Sequence, residues 1–89
     1  MEEIVIQQLT EEEKQKMGIH SWPVWEKEVS RFDWEYFGTE QCLILEGEVI
    51  VSTGKGEYHI KAGDFVTFQD GLKCHWNVIK PVRKHYNFI

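Results

Sequence analysis

Glu40-Gln41-Cys42-Leu43-Ile44-Leu45-Glu46-Gly47-Glu48-Val49-Ile50-Val51, followed by Gly54-Lys55-Gly56, Tyr58-His59-Ile60, Lys61-Ala62-Gly63-Asp64 and Phe65-Val66-Thr67-Phe68, is a series of short apolar runs cut by glycine-centred breaks. Runs this short and this rich in β-branched and aromatic residues have the length and composition of strands, not helices. Glu46-Gly47-Glu48 reads as the turn of a hairpin that returns through Val49-Ile50-Val51. Gly54-Lys55-Gly56 reads as the next turn, and Lys61-Ala62-Gly63-Asp64 as a tight reversal into Phe65.

The same rhythm extends in both directions. Downstream, Gln69-Asp70-Gly71 breaks the chain, Leu72 to Ile79 reads as a strand, and Pro81 interrupts it. Val82, Lys84, Tyr86 and Phe88 then alternate with Arg83, His85 and Asn87. Upstream, Trp25, Lys27 and Val29 fall on one face, and Phe32, Trp34 and Tyr36 share another. Only the N-terminal part differs. Ile4 and Ile6 open a strand towards Leu9, after which Thr10-Glu11-Glu12-Glu13 offers a capping box for a helix from Glu11 to about Met17, stopped by Gly18 in the left-handed conformation. The pattern predicts an all-β single domain over residues 1–89, with a strand and one short helix in 1–21 and a barrel in 22–89. Some eight or nine short strands in so short a chain predict a closed barrel or jelly roll, because an open sheet would leave unpaired edges.

Composition narrows the function. Hydrophobic residues make up 42% of the 89 and aromatics 13%, enough for a real core. A formal charge of −5 and no basic stripe argue against nucleic acid as a partner. Met1-Glu2-Glu3-Ile4 lacks the basic and apolar regions of a signal peptide, and no apolar stretch approaches a membrane span, so a soluble cytoplasmic protein without a membrane partner is expected. Two cysteines, Cys42 and Cys74, are too few for a disulfide framework.

Glu40 with Gly47, and Gly63-Asp64 with Gln69, Gly71 and Cys74, resemble the two sequence motifs of the cupin superfamily, whose small barrels typically hold a metal or a ligand. The glutamate and the glycines are in place. The pair of histidines that normally precedes the glutamate falls on Trp34 and Tyr36, the usual proline on Gln69, and the third histidine on Cys74. The segment Ser21-Trp22-Pro23-Val24-Trp25 through Trp34, with Cys74, Trp76 and Pro81-Val82-Arg83-Lys84-His85-Tyr86, resembles a narrower group. These are small stand-alone cupins of unknown function related to the C-terminal cupin domain of ureidoglycine aminohydrolase. The resemblance implies a jelly-roll barrel with Trp34, Tyr36, Glu40 and Cys74 where a metal site would otherwise lie.

Period two then places Cys42 with Glu40 and Trp76 with Cys74, so Trp34, Tyr36, Glu40, Cys42, Cys74 and Trp76 form a candidate ligand site in the barrel. Glu40 is the candidate general acid/base, needing a donor such as the Tyr36 hydroxyl or an indole N–H, or else a proton. Cys74 is a lesser contact or nucleophile. Glu40, Cys74 and Cys42 are a thin ligand set, so neither a metal nor another cofactor is predicted. His20, His59, His75 and His85 read as surface or hydrogen-bonded residues. Arg83 and Lys84 straddle the two faces of the last strand, so one could reach inward to an anionic ligand or to Glu40, while such residues are more commonly solvated. Trp22 and Trp25 offer either an interface in a homodimer or a surface covered within the chain.

Three functions compete. The leading one is a cupin that binds a small polar metabolite without a histidine-based metal site, amino or ureido groups on that metabolite being what the resemblance implies. The others are a small hydrolase or isomerase, similar to ureidoglycine aminohydrolase, that uses Glu40 with or without a metal held by an unusual ligand set, and a non-catalytic dimeric module with a structural or regulatory role.

Overall fold

A computed structural model describes residues 3–89. The strands are β1 (Ile4–Gln7), β2 (Val24–Lys27), β3 (Ser30–Glu35), β4 (Glu40–Thr53), β5 (Gly56–Lys61), β6 (Phe65–Phe68) and β7 (Lys73–Phe88). All of them join one sheet, and every pairing is antiparallel. One α-helix, α1 (Glu11–Met17), and a single 3-10 turn at Ile19–Ser21 lie between β1 and β2.

The helix forms for the reasons its sequence gives. The Glu13 backbone N–H donates to Thr10 Oγ1 at 3.1 Å, and the Thr10 N–H donates to the Glu13 carboxylate at 2.9 Å, closing the capping box. Gly18 ends it at φ 66°. The turn at Lys61–Asp64 is equally local: buried Asp64 accepts from the Lys61 N–H through one oxygen and from Gln8 Nε2 through the other.

The strand count and two breaks differ from expectation. Seven strands are present among the described residues, because β4 and β7 run 14 and 16 residues without a turn. Glu46-Gly47-Glu48 is not a hairpin, and Pro81 does not end a strand. Both lie at one corner, where the register between β4 and β7 shifts. Glu46 pairs with Arg83 and Glu48 with Lys80, so Gly47 on β4 faces Pro81 and Val82 on β7. This is a β-bulge, which bends a strand and tolerates a proline that cannot donate to the ladder. Gly47 takes φ 96°, and a Cβ there would lie 2.2 Å from the Pro81 carbonyl oxygen. The glycine is required by strand crossing rather than by chain reversal.

The corner lets two strands serve both halves of the sheet. Before the bend, β4 pairs with β6 and with the C-terminal half of β7, to which β2 and β1 add at the edges. Beyond it, β4 pairs with β5 and with the N-terminal half of β7, which also carries β3. Apolar residues of both halves enclose one core, among them Cys42, Ile44 and Phe68 from the first and Val49, Ile60 and Val78 from the second. A smaller cluster of Ile19, Leu43 and Phe65 fills the outer face under the 3-10 turn, with Trp22 packed on it. Trp25 turns inward instead, edge-on to Trp76 at 5.9 Å. Both tryptophans are partly buried and pack against the chain's own core clusters. Among the described residues, no helix is long and apolar enough to cross a membrane.

Candidate ligand cavity

Residues directly opposite one another in an antiparallel ladder project from the same face. Phe32 and Trp34 of β3 face Trp76 and Cys74 of β7, Trp25 of β2 faces Lys84, and Glu40 of β4 faces Phe88 and Phe68. All of these except Cys74 and Phe68 line a cavity of about 200 Å³ inside the bend that opens to one side. Trp34, Tyr36, Glu40 and Trp76 line it, as the sequence suggested, and Trp25, Phe32, Lys84, Tyr86 and Phe88 complete the wall.

The wall is built by ring packing. Tyr36 stacks on Phe68 with centroids 4.7 Å apart and planes within 9°, and Phe32 stacks on Trp76 at 5.9 Å. Trp34 stands edge-on to both Phe32 and Tyr36, each 6.5 Å away, and half of it remains exposed at the mouth. Such offset and edge-to-face pairs hold rings by their quadrupoles as well as by area.

One ion pair interrupts the aromatic wall. Lys84 Nζ donates to Glu40 Oε2 at 2.6 Å, and both side chains are 6% exposed. The ammonium also lies 4.9 Å from the Trp25 ring, 5.0 Å from Trp76 and 5.8 Å from Phe68. Three π-faces and one carboxylate replace its hydration. Glu40 thus finds its donor in Lys84 rather than in the Tyr36 hydroxyl or an indole. The signal was present in the sequence: Lys84 occupies an inward position of an otherwise apolar alternation, Val82, Tyr86 and Phe88.

Trp76 supplies a second polar feature. Its Nε1–H is buried near the Tyr36 hydroxyl and the Cys74 thiol but forms no hydrogen bond of ordinary geometry. A buried donor left unpaired costs about 1–3 kcal/mol. Burial, helped by the negative charge of Glu40, raises the Tyr36 hydroxyl far above its ordinary pKa, so it remains a neutral donor.

The cysteines are not brought into this cavity. Cys42 is fully buried behind it, in the core. Cys74 faces a separate, shallow depression with Asp33, Ser52 and His75. Burial pushes the Cys42 thiol up to about 12, with the positive charge of Lys84 opposing and Glu40 reinforcing the rise. Burial likewise pushes Cys74 up to about 11. Thiols this weak are poor nucleophiles at neutral pH. Since an unfolded thiol ionises near about 8.5, stability is intact below that pH and declines as pH rises towards the folded values. Urea unfolding at pH 10 should therefore show a lower midpoint than at pH 7.5, and Cys42→Ala should weaken that dependence. An unchanged dependence in the variant would refute the assignment.

A metal does not fit the residues present. Among the described residues no three His, Cys, Asp or Glu side chains converge on a common point, and the carboxylate best placed to contribute is held by an ammonium. His75 pairs with Asp33, His59 with Glu48, and His85 with the Trp22 carbonyl, all away from the cavity.

A bent antiparallel sheet with one short helix, enclosing a side-opening cavity, defines the class: this is a small all-β cupin. Residues 14–86 match the EutQ-like cupin domain, and the chain belongs to that family. It is 51% identical to a DUF861-family protein of Thermotoga maritima, whose crystal structure superposes with a TM-score of 0.95 over 98% of this chain and 100% of that one. A DUF861-family protein of unknown function from Pseudomonas syringae pv. tomato is 28% identical, with a TM-score of 0.64 over 71% of this chain and 28% of that one. The Clostridium difficile EutQ protein shares the fold at 17% identity, with a TM-score of 0.67 over 93% of this chain and 64% of that one. A comparison with curated proteins returned no match.

Proposed function

We propose that the protein binds a small planar metabolite in the aromatic cavity, its body against Trp34, Phe32 and Tyr36 and its polar end on the Glu40–Lys84 pair. The observation that carries this reading is a polar pair in an apolar wall: a buried ammonium and carboxylate, in contact with each other, border a cavity otherwise lined by aromatic rings. Cavities with few convergent polar groups in aromatic walls are the usual form of a small-molecule site. The volume of about 200 Å³ is below the ~300–1,000 Å³ usual for drug-sized ligands, which favours a compact molecule.

Thermal denaturation against a set of small metabolites tests it. A true ligand at 100 times its Kd adds about 2.7 kcal/mol and raises the midpoint, and Trp34→Ala and Glu40→Gln should each abolish that rise. Stabilisation that survives both substitutions would place the ligand elsewhere.

A further inference from the structure

We infer that Lys84 is a nucleophilic amine, and that the ligands of this cavity include small aldehydes or ketones that condense with it to an imine. The inference rests on the cavity being a binding site and names the chemistry of its occupant. Lys84 is the one buried lysine among the described residues, yet it lines an open-sided cavity rather than the sealed core. Its nitrogen is 2.6 Å from a carboxylate, the hydrogen-bond reach at which an adjacent base activates a nucleophile. Rings of Trp25 and Trp76 stand about its other sides, so the amine sits among apolar surfaces, a setting that suits Schiff-base lysines.

The step balances without any added redox partner. The ammonium passes a proton to Glu40, leaving a free amine whose lone pair attacks the carbonyl carbon. The former carbonyl oxygen takes up a proton as the nitrogen loses one through Glu40, giving a carbinolamine. Glu40 then protonates the hydroxyl, which leaves as water while the nitrogen lone pair forms the C=N bond. The product is a protonated imine beside an ionised Glu40. One positive and one negative charge face each other before and after, so no unpaired charge is buried in the aromatic wall.

The experiment treats the whole protein with benzaldehyde and cyanoborohydride, which adds hydride to an imine and leaves a benzyl group on the amine, and locates that group by peptide mass mapping. The expected result is benzylation of Lys84 at least about ten-fold faster than of any other lysine, with Glu40→Gln slowing it by a similar factor. Benzyl alcohol, which has no carbonyl, serves as the binding control by thermal shift. Lys84 left unmodified, or modified no faster than exposed lysines such as Lys16 and Lys80, would overturn the inference. If benzyl alcohol still raises the midpoint, only the imine chemistry falls; if neither it nor any metabolite does, the binding reading falls as well. The map is read on the unaltered chain, so the test does not depend on a Lys84 variant folding.

Discussion

Gly47→Ala should prevent the chain from folding, or leave it at least about 4 kcal/mol less stable, a large share of the ~5–15 kcal/mol that holds a domain together. The methyl group would lie 2.2 Å from the Pro81 carbonyl oxygen and 2.7 Å from Val82 Cα, both backbone atoms that cannot rotate away. The residue also occupies φ 96°, where a side chain is strained even with space around it. Relief would require separating β4 from β7 at the bulge that allows the sheet to bend. Gly54→Ala is the matched control: nothing lies within 4 Å of its added Cβ. That change should fall within about 0.5 kcal/mol. Urea unfolding of the two variants beside the parent decides it, and a Gly47→Ala protein as stable as Gly54→Ala would show that the corner is looser than described.

The second large effect concerns the buried pair. Lys84→Met leaves the Glu40 carboxylate without its donor at 6% exposure, and should cost about 3–5 kcal/mol. Glu40→Met leaves the ammonium facing only rings and should also destabilise. The double variant removes both charges and fills the space with apolar side chains that suit the surrounding aromatics, so it should recover most of the loss and be far more stable than the sum of the single effects would give. A double-mutant cycle on unfolding free energies reads this directly. Additive losses would mean that the two charges do not depend on each other. The cycle also separates stability from function: the double variant should fold and yet fail to retain any ligand that needs the pair.

Local signals carried furthest in the sequence. The capping box at Thr10 and Glu13, the stop at Gly18 and the reversal at Lys61–Asp64 all depend on neighbours within a few residues, and all appear as read. Glu46-Gly47-Glu48 misled because a glycine between acids serves equally in a hairpin turn and in a bulge. The difference lies in the partner strand: β4 pairs before the bend with β6 and β7, which are distant in the chain. Pro81 misled in the same way, since its missing donor is harmless only opposite that bulge. In the site, Trp34, Tyr36, Glu40 and Trp76 could be placed because they follow motif spacing on adjoining strands. Alternation narrowed the inward cation to Arg83 or Lys84 without choosing between them, and Trp25 could not be placed at all, because its contact with Lys84 is made by pairing β2 with the far end of β7. Cys42 and Cys74 do face inward, but alternation gives the side of a strand and not the depth along it.

The two long strands have a kinetic consequence. Val24 meets His85, and Glu40 meets Phe88, so the ladders that close the molecule join residues separated by about half the chain or more. Such high contact order requires most of the loop-closure entropy to be lost before the pairing returns energy, and it slows folding towards the millisecond-to-second range of other non-local β proteins. Helix α1 and the Gly54–Lys55 turn can form early, but the aromatic cavity comes into being only when β7 has bent against β4, so the binding surface and the completed fold arise in the same late event.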